Sequence, residues 1–174
     1  MTKINMYCLS IIDSIKKNIE DLNYIPVGLG ENNYSEGWLR DNTGQNISEK
    51  NMYYGEYTFH YWFWKNLLNK VKDDEWIGFC AYRRFWSNGN NEIENSKSLK
   101  NKVIRFAPDA WSDYDVIIGD DVELSNIKLI KILKYGKISL IRNPSAIFKK
   151  NRNIKFHFDM FHGNGILDKA IDLL

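Results

Sequence analysis

The hydrophobic period of the chain changes between residues 3 and 22, and no other feature restricts the fold as much. Residues 3–9, centred on Met6-Tyr7-Cys8-Leu9, are a short apolar run of strand length, whereas Ile12, Ile15, Ile19 and Leu22 recur at steps of three and four. A strand that feeds directly into a helix is the opening of an α/β unit. The same alternation returns downstream. Tyr24-Ile25-Pro26-Val27 predicts a second strand, at a sheet edge or near its own end because Pro26 cannot donate to a ladder, and Gly28 and Gly30 stop it. Residues 76–81 and 114–119 read as buried strands and residues 137–141 as another, turned by Asn143-Pro144.

Between these runs lie loops and helices. Residues 31–45 are rich in Asn, Gly, Ser and Asp, and a loop of that length in a compact domain is usually functional. Asn46 followed by Glu49 is an N-cap signature: the Asn side chain accepts from a first-turn N–H and the Glu carboxylate reaches back. The helix that follows carries Tyr53, Tyr57, His60 or Tyr61, Trp64, Leu68 and Val71 at helical steps, a stripe expected to bury against the sheet. Residues 87–101 are polar and Asn-rich, hence a loop. Ser125 can cap a helix with Ile127, Ile130 and Leu133 inward, Lys128, Lys131 and Lys134 outward, and Gly136 as its stop. Residues 156–162 read as extended, ahead of a helix from about Ile166.

With 174 residues, 44% of them apolar and 14% aromatic, the chain can build one compact domain without a disulfide or metal staple. Cys8 and Cys80 each sit inside an apolar run, as small buried hydrophobes in a reducing cytosol. No apolar stretch approaches the ~20 residues that span a bilayer, and the first residues lack a signal-peptide core, so a cytoplasmic protein is expected. The net charge of +2 hides an asymmetry: residues 124–158 hold nine Lys or Arg and no Asp or Glu. One basic face for an anionic partner, such as a phosphate, nucleotide or lipid headgroup, follows from it.

Three clusters could carry chemistry: residues 41–51, Tyr82-Arg83-Arg84, and residues 157–162. Arginines directly after a strand of an α/β sheet lie in the crevice outside its carboxyl end, where ligands bind. Residues 41–51, continued by Gly55-Glu56-Tyr57-Thr58, Tyr61-Trp62-Phe63-Trp64-Lys65-Asn66 and Gly78-Phe79-Cys80-Ala81-Tyr82-Arg83-Arg84, resemble the signature of the bacterial DUF4422 family. Its pattern runs D-T-G-D-N-I-S-E-K-N, E-L-T, Y-W-x-W-K-N and Y-x-G-L-C-H-Y-R-R. The match is dense over 41–66 and 76–85 and looser elsewhere; Gln45 stands in place of aspartate and Ala81 in place of histidine.

The resemblance implies a glycosyltransferase-like protein of capsule, lipopolysaccharide or exopolysaccharide assembly. Its fold would be an α/β, GT-A-like (Rossmann-type) mixed sheet flanked by helices. A single domain over 1–174 is expected, with a nucleotide-sugar part over about 1–121 and an acceptor-side part over about 122–174 that stops short of the family's usual C-terminal helices. The donor would be a nucleoside-diphosphate sugar, most simply UDP-linked, and the acceptor a glycan or lipid-linked glycan, with peripheral contact at the inner face of the membrane.

The residues supply parts for that chemistry. Arg83 and Arg84 can match diphosphate oxygens two at a time, beside Tyr82. Asp41 and Asn46 could bind nucleobase or sugar hydroxyls, Gly44 permits close backbone approach, and the helix start at Ser48, Glu49, Lys50 and Asn51 offers free N–H groups. Asp120-Asp121, with Asp115 before them, are the nearest counterpart of an Asp-x-Asp site for Mn2+ or Mg2+, though adjacent and not alternating; an exposed turn ahead of a helix N-terminus is the plainer reading. His157, Asp159 and His162 lie close enough in sequence for a general base and its orienting partner, and His-x-Asp in an extended segment would share a face. Trp38 and Trp86, in loops, could stack on a sugar or base, while residues 61–64 are core aromatics. Two rivals stand beside the transferase: a non-catalytic nucleotide-sugar or glycan-binding module, which Ala81 favours, and a basic nucleic-acid binder. Against the latter, the lysines lack interleaved surface aromatics and any recognised motif.

Overall fold

The computed structural model describes residues 2–87, 96–120 and 124–173. Two compact units divide the chain, Met1–Ile117 and Ile118–Leu174.

The first unit is an α/β layer. Strand β1 (Ile4–Ser10) leads through a 3-10 turn into helix α1 (Lys16–Asp21), then β2 (Ile25–Gly28) and the two-residue β3 (Leu39–Arg40). Helices α2 (Asn51–Tyr54) and α3 (Tyr57–Asn66) precede β4 (Trp76–Ala81), and α4 (Ser96–Lys102) follows. The four strands order as β3-β2-β1-β4, and every pairing is parallel. The expected mixed sheet is therefore replaced by a parallel one; among the described residues antiparallel pairing is confined to isolated bridges such as Lys3 with Phe106. Parallel neighbours need crossover connections, which α1 and the α2–α3 pair supply.

Alternation along β1 sorts the core onto two faces. Ile4, Met6 and Cys8 pack with Ile19, Leu22 and Tyr24 on the α1 side, while Leu9 joins Val27, Phe59, Trp62 and Phe63 on the α3 side. Cys8 and Cys80 stand opposite each other in register as free buried thiols. Pro26 is the second residue of β2, one position before β3 begins to pair at Val27, so β2 is an inner strand whose proline lies where only β1 is its neighbour.

Several expectations fail in this unit. Residues 114–119 form no strand; with no ladder to join, Val116 and Ile118 are 72% and 80% exposed, since β propensity expresses itself only on a pleated, half-buried surface. The helix expected from Asn46 is broken at Gly55, whose φ of +54° favours glycine, and the break turns the buried face to Thr58, Phe59, Trp62 and Phe63. The predicted stripe faces outward at Tyr53, Tyr57 and Trp64. Of the loop assigned to residues 87–101, Ser87 forms an isolated bridge with Val103, the part over 88–95 lies outside the described residues, and residues 96–101 belong to α4.

The second unit is helical: α5 (Leu129–Tyr135), α6 (Lys137–Arg142), α7 (Ile154–His162) and α8 (Ile166–Ile171). Ile132, Ala146, Phe156 and Met160 form its core. Buried Arg152 ties it together, donating to the carbonyls of Ser125, Ile127, Ala146 and Ile147 at 2.7–3.1 Å. The strand predicted over 137–141 is α6, in which Ser139 turns inward to Asn164; a run of five residues carries too few repeats to separate the two periods. Ile130 and Leu133 are exposed and Ile132 is the buried position of α5, a reversal of the expected face. Residues 156–162 are helical because Asn153 caps α7, accepting from the Phe156 N–H at 2.9 Å, and Phe156 and Met160 bury one turn apart.

Candidate functional site

The carboxyl ends of β1, β2 and β4 open into a cleft of about 520 Å³. Leu9, Ser10 and Ala81 line it at the strand ends, with Leu29, Asn51, Glu56, Arg83 and Arg84 around them. A turn closed by the Arg84 N–H donating to the Ala81 carbonyl at 2.9 Å follows β4 directly. The Tyr82 N–H donates back to Leu9 at 3.0 Å, which fixes the turn to the end of β1. Both arginines are exposed, and the Arg83 guanidinium lies 4.9 Å over the Tyr82 ring. Among the described residues neither has a carboxylate at ion-pairing distance. Two cations with unused donors thus border one end of a parallel sheet, and Glu56 is the acid on the opposing helix start.

The mouth is braced from behind. Tyr34 donates to the Ser10 carbonyl at 2.7 Å, and Arg40 donates to the carbonyl of Gly30 at 2.7 Å while stacking 4.4 Å over Tyr34. The loop after β3 is fastened to α3 by three successive ties. Asp41 accepts from the Thr58 hydroxyl at 2.5 Å and from the Gly30 N–H at 2.8 Å; the Trp62 indole donates to the Thr43 carbonyl at 2.7 Å; Asn66 exchanges hydrogen bonds with the backbone of Gln45 at 3.0 and 3.2 Å. Residues 41, 43 and 45 lie on a segment of turns and bends, and 58, 62 and 66 repeat every fourth position of the helix, so a single stripe of α3 takes all three ties. Gly44, at a φ of +54°, leaves room for the Asn66 side chain, where a Cβ would collide.

This arrangement reassigns several residues. Asp41 is fully buried, so it is a staple between loop, β2 and α3 in place of the expected sugar or base ligand. Burial pushes its carboxyl above the ordinary range, against the downward pull of the Thr58 and Gly30 hydrogen bonds. Asn46 accepts from the Ser48 N–H at 3.2 Å, but the cap of the 3-10 turn that starts at Ser48 is Ile47 and not the expected Asn46, and Ser48 is buried and donates to Glu31 at 2.5 Å. Glu49 and Lys50 are exposed outside the residues lining the cleft. Asn51 does line it, its amide tied to the Gly55 carbonyl and the Thr58 hydroxyl. Asn51, Tyr82, Arg83 and Arg84 are the predicted ligands that the fold brings together in this cleft.

The remaining candidates lie elsewhere. His157 and Asp159 sit on helix α7, two residues and so ~200° apart around it, and do not share a face. Asp159 accepts from the Gly165 N–H at 3.2 Å; His162 is exposed at the last turn with its ring 4.5 Å from Phe158. Asp120 is exposed and Asp121 lies outside the described residues. No three metal-ligating side chains cluster among the described residues. Trp38 is buried against Tyr34, and Trp86 donates to the Phe79 carbonyl at 2.8 Å in a separate groove with Trp76 and Trp111, so neither is a free stacking platform. Sequence reasoning missed Ser10 and Glu56. The rule that placed Arg83 and Arg84, the carboxyl end of a strand, would have found Ser10 at the end of β1.

A family model, "Domain of unknown function (DUF4422)", matches residues 11–162, most of the chain. The chain belongs to the DUF4422 family. The match spans the Asp41–Thr58 staple and the Arg83–Arg84 turn alike. No curated protein and no solved structure matches this DUF4422 chain.

Proposed function

We propose that the protein is a glycosyltransferase that takes a sugar from a nucleoside-diphosphate donor, UDP-linked in the simplest case, to a growing bacterial surface polysaccharide. The observation that carries this reading is the exposed Arg83–Arg84 pair at the carboxyl end of β4, in a cleft bounded by the ends of β1 and β2. A leaving diphosphate gains negative charge as the glycosidic bond breaks, and fixed guanidiniums meet that charge with paired N–H donors. Tyr82 stacks under Arg83, Asn51 offers its side-chain carbonyl oxygen to ribose or sugar hydroxyls because its NH2 is held by Gly55 and Thr58, and Ser10 and Ala81 put only small side chains between a ligand and the strand ends. The fold supports the reading at the level of a parallel α/β sheet with its crevice at the strand ends; a GT-A-like arrangement is part of the proposal. His162 is the acceptor-side base of the proposal and the acceptor a glycan or lipid-linked glycan.

Mn2+ or Mg2+ would supply Lewis-acid help at the diphosphate, and Asp120 with Asp121 are the residues the sequence offers for it. A thermal-shift panel of nucleotide sugars, with and without manganese and with chelator, tests both parts. Donor at 100 times its dissociation constant adds roughly 2.7 kcal/mol of apparent stability. If the arginines hold the diphosphate, chelator leaves that shift in place. A second reading, a non-catalytic nucleotide-sugar or glycan binder, draws on Ala81, which lines the cleft where the family pattern has histidine. It gives the same shift and no transfer.

A further inference from the structure

The second unit turns most of its large apolar side chains outward. Four residues make its buried core, while Ile130, Ile138, Ile141 and Phe148 are 74%, 62%, 78% and 63% exposed. Their cations are not scattered at random. At ~100° per residue, Leu129, Leu133 and Ile130 occupy one arc of α5, and Lys134 and Lys131 follow next around the helix. On α6, Ile141 and Ile138 share an arc bordered by Lys137 on one side and Arg142 on the other. Phe148 is followed at once by exposed Lys149 and Lys150. Of the nine cations over residues 124–158, Arg152 alone is buried, held by four backbone carbonyls; the other eight are exposed, and of these Lys155 pairs with Asp168 while the other seven have no carboxylate at ion-pairing distance among the described residues.

Exposed apolar area of this kind marks an interaction surface, and its charge selects the occupant. In a two-fold self-contact each patch meets its own copy, so these cations would face cations. A nucleic-acid backbone satisfies the lysines and leaves the isoleucines in water. An anionic bilayer takes both, aliphatic side chains at the acyl boundary and ammonium groups at the phosphates. We propose that α5, α6 and the Phe148 turn dock on an anionic phospholipid surface. None of the helices among the described residues is long and apolar enough to cross a membrane, so the contact is peripheral. The inference agrees with a membrane-side acceptor but does not rest on the transferase reading, because lipid binding requires no nucleotide.

Flotation of the full chain with vesicles, without nucleotide, is the test. Phosphatidylcholine vesicles containing phosphatidylglycerol should carry the protein upward, phosphatidylcholine alone should not, and added salt should release it. Lys131→Glu with Lys134→Glu should lower partitioning at least tenfold, given about fivefold for each lysine near a charged surface. Ile138→Ser with Ile141→Ser should lower it about tenfold with an unchanged melting temperature, as both side chains already face solvent. Equal flotation on both lipids, or none on either, overturns the proposal. So does a concentration-dependent dimer abolished by the serine pair, or oligonucleotide binding that replaces lipid binding and ignores that pair.

Discussion

Asp41 and Arg83 divide the labour of the signature between them. Asp41 is wholly buried and holds loop to helix; Arg83 is exposed and holds nothing of the protein but the face of Tyr82. Asp41→Ala strands the Gly30 N–H and leaves the Thr58 hydroxyl only the Gly55 carbonyl, and should cost roughly 2–3 kcal/mol in urea unfolding, with Asp41→Asn costing about 1 kcal/mol because one acceptor survives. The buried groups also set a pH dependence. His60, packed edge-on against Phe79 at 4.7 Å, has its pKa pushed below the usual 6.5 by burial, against the pull of Glu56. A depressed histidine contributes stability above 6.5 that is lost as the pH falls through its folded value. Asp41 has the opposite sign: its contribution is full below the ordinary carboxylate range and is lost as pH rises through its raised value. His60→Gln should therefore flatten the decline in melting temperature that the parent shows as the pH falls from 6.5 through the folded value of the imidazole, and an unchanged decline would contradict it.

At the scale of elements, what was legible in the sequence followed long-range redundancy. β1, α1, β2 and β4 were readable because strand-length runs and three-to-four spacing persisted long enough to distinguish them, and the Arg83–Arg84 position followed from β4 alone. The helix after Asn46 was read as continuous because nothing local says that Gly55 takes a positive φ; the tie of Thr58 to Asp41, seventeen residues back, decides which face is buried. Gly55→Ala should destabilise by about 1 kcal/mol with no steric clash, since nothing lies within 4 Å of its Cβ position and only the backbone conformation resists. Denaturant midpoints measure it, and an unchanged midpoint would show that the α2–α3 break survives without glycine. The short apolar runs of the second unit were misread because six-residue helices show less than two turns of period, and their burial is set by partners such as Arg152 and Asn164.

The molecule as a whole joins a parallel α/β unit, with its cleft at the strand ends, to a helical unit bearing His162 and a basic apolar surface. His162→Asn should leave nucleotide affinity intact and lower sugar transfer at least a hundredfold, the loss typical of a missing base; turnover near the parent value would make that histidine structural. The central claim is narrower, that the Arg83–Arg84 turn receives a diphosphate. Calorimetric titration of UDP into the parent, Arg83→Ala and Arg84→Ala chains tests it most directly. Each substitution should weaken binding by about 1.5–3 kcal/mol, roughly tenfold to a hundredfold, with unfolding unchanged. Affinity equal to the parent's in both variants, or no binding of UDP by the folded parent, would contradict it.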